Sequence, residues 1–428
     1  MELVVLFGTF LILLFLGVPI AVTLGASAMV TVLYMDIPPM VVFQRMAAGM
    51  NVFSLMAIPF FIYAGELMLH GGISERLVRL ANALIGYIRG GLGLVNVLSS
   101  MLFGGISGSA VADVSALGST LIPMMKEKGY DPDYAVNVTV TSATIGLIVP
   151  PSHNMIIYSI AAGGTVSVSA LFMAGFVPGI LTGISLMVAT YLIAVKRGYP
   201  RETFPGFTAL LLLFASSLPG LLTAIIIVGG VLSGIFTATE SAAIAVIYAL
   251  LVTAFFYRSL TWKTFVAATL GAVKTTAMVL LIIGTAAAFA WLLALNQVPD
   301  RLFTLLQSIS DNPYVIMLMV NIILLFLGTF MDMSPLIIIC TPIFLPVMTQ
   351  LGMDPIQFGI ILMINLGIGL VTPPVGSVLF VGCAVGKVRM EDTTRTIWPF
   401  YAVMVITLLL VTYIPAISMF VPNLLLGK

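Results

Sequence analysis

The stretch "IGLIVPPSHNMIIYS" at Ile145–Ser159 has two adjacent prolines inside a long apolar run, and "IGLVTPPVGSVLFVG" at Ile368–Gly382 repeats the pattern. A proline removes a backbone N–H and clashes with the carbonyl one turn earlier, so two in succession interrupt a helix. Within a membrane, the backbone groups freed by such a break must be buried in protein or face a polar cavity. Packing could explain one break, but its recurrence in a similar context indicates a duplicated functional site.

The composition is that of a membrane protein. Of the 428 residues, 61% are hydrophobic and only 8% are charged. Apolar runs of about 18 residues or more recur along the chain, and each is long enough to cross a hydrocarbon core of about 30 Å. The net charge of +1 gives no indication of a nucleic-acid partner. The sequence therefore predicts an all-α polytopic membrane protein.

Two apolar segments differ from the other predicted spans, because a Gly/Ser/Asp-rich stretch interrupts each near its centre. These segments are residues 93–125, with "FGGISGSAVADVSALG", and residues 313–350, with "LGTFMDMSPL". Both are predicted to be re-entrant helical hairpins, and one long helix followed by a loop is the alternative for each. Complete spans are predicted near residues 3–34, 51–70, 134–163, 168–195, 207–233, 237–257, 275–295, 356–386 and 397–421.

The distribution of basic residues supports the hairpin interpretation. With two hairpins, a cytoplasmic N-terminus and a periplasmic C-terminus, 14 of the 17 Lys and Arg residues lie on the cytoplasmic side. This agrees with the positive-inside rule, and a full crossing at either hairpin would invert everything that follows it. The residues predicted to lie outside are Arg45, Arg301 and Lys428.

The chain contains an internal repeat with a constant spacing between its two copies. "GYDP" at Gly129–Pro132 matches "GMDP" at Gly352–Pro355, and the Pro150–Pro151 pair matches the Pro373–Pro374 pair at the same spacing, which we call the repeat offset. Further upstream the match weakens and shifts by two residues. The predicted boundaries are a first repeat over 36–163, linking spans over 168–257, a second repeat over 260–386 and a last span over 397–421. Because the two hairpins are predicted to open to opposite sides, the repeats are predicted to be inverted.

Inverted repeats with broken helices are typical of secondary transporters, which bind substrate and ions near the membrane midplane. Freed carbonyls and hydroxyls suit a small cation, and the N-terminus of the half-helix beyond each break suits an anion. A stand-alone sodium/dicarboxylate or sodium/proton carrier, a channel and a membrane-embedded enzyme are the alternatives. The chain has no HExxH or GxxxxGK[ST] motif and no evident nucleophile–base set, so neither an enzyme nor ATP hydrolysis is predicted.

Six ordered motifs carry a resemblance to a known family. The stretches "SGSAVAD", "PMMKEKGYDPDYAV", "VPPSHNMIIYS", "LFMAGFVPG", "FTATESAAIAVIYAL" and "GLVTPPVGSVLF" resemble the large membrane subunit of tripartite ATP-independent periplasmic (TRAP) transporters. The resemblance implies sodium-driven import of an organic acid, with two or more sodium ions, by an elevator movement in a bacterial or archaeal inner membrane. It also implies a small four-helix membrane subunit and a periplasmic substrate-binding protein as partners.

The resemblance also implies site residues. The first ion site would comprise Ser107, Ser109 and backbone oxygens near Gly146 and Pro150. The second would comprise Gly328, Asp332, Thr372 and backbone near Gly369 and Gly376. Ser109 and Asp332 are related by the repeat offset, so the two sites are expected to differ in charge. Helix packing by small residues is the alternative role for the two serines.

Substrate contacts are expected from Ser152, His153 and Asn154, directly after the first Pro-Pro pair, and from Asp113, which could instead support the first ion site. A structural role for His153, bonded to a backbone carbonyl, is the alternative. Glu240 is expected to make a scaffold hydrogen bond, and Glu66 to face lipid headgroups. The substrate stays open among C4-dicarboxylates, keto acids and sugar acids such as sialic acid.

Overall fold

The computed structural model describes residues 1–426, apart from the side chains of Ile106, Ser107 and Leu426. The predicted positions of Lys428 and of the Ser107 side chain therefore lie outside the described residues. The described chain contains helices and no strand, so the predicted all-helical fold is confirmed. Six of its helices are long and apolar enough to cross a membrane, or up to eight spans if each of two bent helix pairs counts as one.

The first half of the chain forms ten α-helices, and a short 3₁₀ turn at Phe53–Met56 precedes the fourth. They are α1 (Glu2–Phe15), α2 (Ile20–Tyr34), α3 (Met40–Met50), α4 (Ala57–His70), α5 (Ile73–Ile85), α6 (Gly91–Ser107), α7 (Ala110–Glu127), α8 (Pro132–Ala143), α9 (His153–Ala161) and α10 (Val168–Arg197).

The second half forms eleven, and a π-helical turn at Val252–Phe256 extends the second of them. They are α11 (Phe207–Leu232), α12 (Ala238–Leu251), α13 (Trp262–Leu295), α14 (Val298–Ile309), α15 (Pro313–Gly328), α16 (Met333–Gln350), α17 (Pro355–Leu370), α18 (Ser377–Gly386), α19 (Met390–Thr396), α20 (Trp398–Tyr413) and α21 (Pro415–Leu426).

The predicted single span over residues 3–34 is wrong. This region forms α1 and α2, which pack side by side after a tight connection over residues 16–19. Gly17 adopts a left-handed φ of 76°, which is typical of the residue that ends a helix, and Pro19 directly precedes the first residue of α2. The apolar run continues through this turn, so hydropathy alone predicts one span where the chain forms two helices.

Both Pro-Pro stretches interrupt helices as predicted. The first break separates α8, extended by a 3₁₀ turn over Thr144–Leu147, from α9, and the second separates α17 from α18. The Pro150–Pro151 and Pro373–Pro374 peptide bonds are both cis. Every residue of α8 from Tyr134 and of α17 from Ile356 is buried, so both broken helices run through the core of the bundle.

Each Gly/Ser/Asp-rich segment folds as two helices joined at a short tip. Gly108 and Ser109 connect α6 to α7, and residues 329–332 connect α15 to α16. We call these connections tip 1 and tip 2. The first pair packs on α8 and the second on α17, so each pair accompanies its own broken helix. That the pairs are re-entrant and mutually inverted stays a prediction.

The helices pack into two groups. The central group contains both helix pairs, both broken helices, α10 and α19–α21. The peripheral group contains α1–α4 and α11–α13. The amphipathic helices α5 and α14 connect the peripheral to the central group in the chain, immediately before each helix pair. A cavity between the groups holds the candidate site.

Candidate ion and substrate site

A cavity of about 440 Å³ lies where the two tips face helices α4 and α13 of the peripheral group. Its polar lining residues are Glu66, Ser109, Ser115, His153, Thr275, Asp332 and Ser334. Lys and Arg are absent from this lining within the described part of the chain. An anion bound here would therefore depend on helix N-termini, hydroxyl groups, His153 or co-bound cations.

The N-terminal ends of α7, α9 and α16 lie at this cavity, and that of α18 adjoins it through the Ser377–Asp332 hydrogen bond. Ser109 is the N-cap of α7, Ser152 of α9, Asp332 of α16 and Gly376 of α18. The first backbone N–H groups of a helix have no partner within it, and the helix dipole is positive at this end. This arrangement can stabilise negative charge without a basic side chain.

Ser109 and Asp332 both line the cavity, so the structure brings together the two tips that the repeat predicted to correspond. The Ser109 hydroxyl accepts a hydrogen bond from the Ala112 backbone N–H at 3.4 Å. The Asp332 side chain is exposed to the cavity, and its Oδ1 accepts a hydrogen bond from the Ser377 hydroxyl at 3.4 Å. The tips thus differ by one carboxyl group at corresponding positions.

Glycine residues let each broken helix touch its own helix pair through the backbone. A Cβ built on Gly146 would lie 2.7 Å from Gly104 Cα, and one built on Gly369 would lie 2.5 Å from Gly328 Cα. Gly146 and Gly369 are themselves related by the repeat offset. Near the first contact, a Cβ on Gly105 would lie 2.8 Å from the carbonyl oxygen of the first proline of the break. Each broken helix therefore contacts its own helix pair backbone to backbone, and at the first break a proline carbonyl oxygen lies beside α6.

The second break is attached to tip 2. The Val375 and Gly376 backbone N–H groups donate to the Thr329 carbonyl oxygen at 3.2 Å and 3.4 Å. The Thr372 hydroxyl donates to the Ile368 carbonyl at 2.7 Å, which leaves the Thr372 oxygen lone pairs to accept or to coordinate. Gly376 has a φ of 40°, and this left-handed conformation turns the chain into α18.

Two polar atoms directly after the first break are buried without a hydrogen-bond partner among the described residues: Ser152 Oγ and His153 Nδ1. His153 lines the cavity, and its Nδ1 would lie 3.0 Å from a Cβ on Gly108. A bond from this nitrogen to a backbone carbonyl, the structural alternative for His153, is therefore not observed. Unsatisfied buried polar atoms are costly, so these two atoms mark an unusual polar position at the N-terminus of α9.

Asn154 differs from its two neighbours, because its amide is bonded on both sides. Its Nδ2 donates to the Gly108 carbonyl of tip 1 at 3.3 Å. Its Oδ1 accepts from the Ser334 hydroxyl, two residues beyond Asp332, at 3.4 Å. Asn154 therefore links the first break to tip 1 and to the first turn of α16, which begins directly after tip 2.

Asp113 lies behind the first break. It is fully buried in the first turn of α7, and its Oδ2 would lie 3.0 Å from a Cβ on Gly146. It is not among the residues that line the cavity. Its carboxyl group thus adjoins the backbone predicted for the first ion site.

Glu66 was expected to face headgroups, and this expectation is wrong. Its half-buried side chain lines the cavity from α4, with His70 Nδ1 3.5 Å from its Oε2. Gly271 of α13 accommodates the carboxyl group, since a Cβ there would lie 3.0 Å from it. The signal for a functional role was an acid inside an apolar span. Glu240 instead forms a capping box with Thr237 and is exposed, in agreement with the expected hydrogen-bond role.

No three His, Cys, Asp or Glu side chains cluster as a metal-ligand set within the part of the chain that the structure describes. A cation in this site would therefore be held mainly by backbone carbonyls and hydroxyls, with Asp332 as the carboxylate ligand. Oxygen ligands of this kind suit hard cations.

Two helix pairs that meet at one cavity, each packed on a broken helix, define the architecture of a secondary transporter. The fold is similar to that of the YdaH transporter of Alcanivorax borkumensis, with a TM-score of 0.65 over 94% of this chain and 96% of that chain, at 14% sequence identity. That likeness concerns the fold.

Residues 7–417 match the family model of the tripartite ATP-independent periplasmic transporter, DctM component, and the chain belongs to this family. It is 36% identical to the C4-dicarboxylate TRAP transporter large permease protein DctM of Rhodobacter capsulatus, over 99% of this chain and 100% of that protein. It is 40% identical to the sialic acid TRAP transporter large permease protein SiaM of Vibrio cholerae, over 90% of both. The chain is thus a multi-pass transporter permease of the inner membrane, not an enzyme.

Proposed function

We propose that this chain is the permease of a sodium-coupled importer of an organic acid, working with a small membrane subunit and a periplasmic substrate-binding protein. The observation that carries the proposal is the cavity in which both tips and the first break meet, with no Lys or Arg among the described residues that line it. An acid bound there requires compensation of its charge, and co-bound sodium supplies it together with the helix N-termini. The family membership supports the involvement of partner subunits.

We propose one sodium ion at each tip. The first would be bound by Ser109 and backbone oxygens near Gly146 and Pro150. The second would be bound by Asp332, the Thr372 hydroxyl and backbone oxygens near Gly328, Gly369 and Gly376. Support comes from the close approach of each glycine-containing backbone segment to the helix that leads into its own tip.

The cargo carboxylate would be bound by Ser152 and His153 at the N-terminus of α9. His153 lines the cavity and Ser152 is the N-cap of the same helix, which supports this assignment. The substrates named for relatives are a C4-dicarboxylate and sialic acid, so the cargo class proposed here is an organic acid, with keto acids included.

An elevator movement would carry the central group past the peripheral group. The cavity supports this mechanism, because Ser109, His153 and Asp332 belong to the central group and Glu66 and Thr275 to the peripheral group. A site bounded by both groups changes its exposure when one slides along the other.

The proposed orientation keeps the loop around Lys196–Arg201 cytoplasmic and the C-terminus periplasmic, with 14 of the 17 basic residues on the cytoplasmic side. The predicted cytoplasmic N-terminus depended on one crossing over residues 3–34. Two side-by-side helices return the chain to its starting side, so we propose instead that Met1 lies with Arg45 on the periplasmic side. No Lys or Arg precedes Arg45, so the charge count is unchanged.

Uptake by proteoliposomes tests the proposal. They would contain this permease and its small subunit, receive an inward sodium gradient, and be offered radiolabelled succinate, pyruvate or sialic acid with and without the binding protein. The proposal predicts uptake of one acid only with both sodium and the binding protein. Full uptake without the binding protein would indicate a stand-alone carrier, and uptake without sodium would contradict sodium coupling.

A further inference from the structure

Asn154 and Ser377 are related by the repeat offset and occupy corresponding places just beyond the two breaks. Each makes a side-chain hydrogen bond to the tip of its own helix pair. Asn154 Nδ2 donates to the Gly108 carbonyl of tip 1 at 3.3 Å, and the Ser377 hydroxyl donates to Asp332 of tip 2 at 3.4 Å. In each half of the chain, the side chain at this position therefore bonds the half-helix beyond the break to the tip of its own helix pair.

Asn154 and Ser377 differ in the number of helix pairs that their side chains contact. The Asn154 amide has an acceptor oxygen as well as a donor nitrogen, and that oxygen accepts from the Ser334 hydroxyl of the other helix pair at 3.4 Å. The bond of Ser377 stays within its own half of the chain. Asn154 and Ser334 are 2% and 8% exposed, so water competes little for this contact. Of these two corresponding positions, only Asn154 connects the tip of its own helix pair to the other pair, at the start of α16 beside tip 2.

We infer that Asn154 is a positioning residue that couples tip 1 to tip 2, so that an ion bound at one tip orders the other. The inference rests on the proposed sodium coupling. Because both ends of the amide are engaged by protein, Asn154 is assigned to the link, and contact with the cargo falls to Ser152 and His153. Two sites joined by such a link influence each other's affinity reciprocally.

The first test is the sodium dependence of uptake in the proteoliposomes with all subunits present. Asn154→Ser introduces the residue of the corresponding position 377, and its shorter side chain cannot span from Gly108 to Ser334. We expect its Hill coefficient for sodium to fall from above 1 toward 1 and its half-saturating sodium concentration to rise about fivefold. The cargo KM at saturating sodium should change little. Asn154→Gln, which retains the donor nitrogen and the acceptor oxygen of the side-chain amide, should recover part of the cooperativity.

The second test is a double-mutant cycle with Ser334→Ala. Once Asn154→Ser is present, Ser334→Ala should change neither the sodium response nor the thermal shift that sodium produces in the purified permease. Matched controls are Asn296→Ser and Ser119→Ala, since the side chains of both residues bond carbonyls of their own segments, Leu292 and Ala116. Both controls should leave sodium cooperativity intact.

Three outcomes would overturn the inference. A raised cargo KM with an unchanged sodium response would make Asn154 a cargo contact. Additive effects of Asn154→Ser and Ser334→Ala would exclude coupling through this pair. A loss of thermal stability that is equal with and without sodium would leave only a structural role. If the wild-type permease shows no sodium-dependent uptake, the proposed function fails separately, and the double-mutant cycle on thermal stability without sodium still decides whether the link exists.

Discussion

Asn365 donates its side-chain amide to Asn321 Oδ1 at 2.9 Å, joining the second broken helix to the first helix of its pair. The corresponding contact in the first half is Ser142, which donates its hydroxyl to Asn96 Oδ1 at 3.2 Å. Ser142 and Asn365 are related by the repeat offset, and Asn96 and Asn321 by the same offset with the two-residue shift that the sequence shows upstream. The repeat is therefore a repeat of buried polar contacts as well as of motifs.

The same recurrence extends to α10 and α20. Tyr134 of α8 donates its hydroxyl to the Thr190 carbonyl at 3.0 Å, and Gln357 of α17 donates to the Thr412 carbonyl at 3.1 Å. Tyr134 and Gln357 are again related by the repeat offset. The sequence predicts α10 among the linking spans and α20 as a last span, and these contacts show that the two helices make corresponding bonds to the broken helices.

Asp332 gives the first prediction. Asp332→Asn retains the shape of the side chain but removes its charge, so we expect a folded protein with weak sodium dependence and sodium-driven uptake reduced at least tenfold. Loss of a charge-assisted ligand costs about 1.5–3 kcal/mol, which corresponds to a change of roughly 10-fold to 150-fold. Asp311→Asn, at an exposed position between α14 and α15, is the control. Normal uptake with an unchanged sodium response would exclude Asp332 from the ion site.

The glycine contacts give the second prediction. Gly146→Ala and Gly369→Ala would each place a Cβ less than 3 Å from backbone atoms of the packed helix, so both should lower thermal stability and abolish most uptake. Overpacking of this kind typically costs about 1–3 kcal/mol. Gly8→Ala and Gly229→Ala are matched controls, because no heavy atom lies within 4 Å of a Cβ at either position. If the purified test variants and the purified control variants had equal thermal stability, the close backbone approach at Gly146 and Gly369 would be contradicted.

The third prediction concerns acid stability at the proposed cytoplasmic end. Burial by itself raises the pKa of Asp133, but the Arg197 guanidinium, bonded to both carboxylate oxygens at 3.2 Å and 3.3 Å, outweighs it and holds this pKa below its usual range. A depressed carboxyl pKa contributes stability above the pKa of the unfolded chain, about 4, and that stability is lost as the pH falls through the folded value.

Asp133→Asn should therefore lower the Tm at pH 7 by about 1–2 °C, since a partly exposed ion pair contributes at most about 1 kcal/mol. The difference from wild type should shrink as the pH falls below 4. Asp392→Asn, which breaks the exposed Arg389–Asp392 pair, should change the Tm less. Thermal unfolding in detergent at several pH values measures both, and a difference that grew on acidification would contradict the assignment.

The fourth prediction concerns orientation. In a background without Cys340 and Cys383, a cysteine at Thr165 or Glu2 should react with an impermeant thiol reagent in intact cells, and one at Arg201 should not. Thr165 follows α9 and is exposed, and Arg201 lies in the exposed connection between α10 and α11. Labelling at Arg201 alone would invert the whole orientation. Protection of Glu2 with labelling of Thr165 would contradict only the periplasmic N-terminus.

The broken helices, the two interrupted segments, the repeat and the family could all be predicted from the sequence. These features are encoded locally, because a proline pair breaks a helix in any surroundings and a fixed offset requires no knowledge of contacts. The turn between α1 and α2 was also encoded locally, by Gly17 and Pro19, although hydropathy concealed it.

Which side chains meet depends on contacts that form only in the folded chain. It placed Glu66 on the cavity wall opposite Gly271, and it joined Asn154 to Ser334, which lies far away in the chain. The physical reason is that lipid tails are as apolar as a protein core, so hydrophobicity does not mark which face of a membrane helix packs against protein. The rotation of each helix, and therefore the composition of the site, is set by small residues and buried polar bonds between segments distant in the chain.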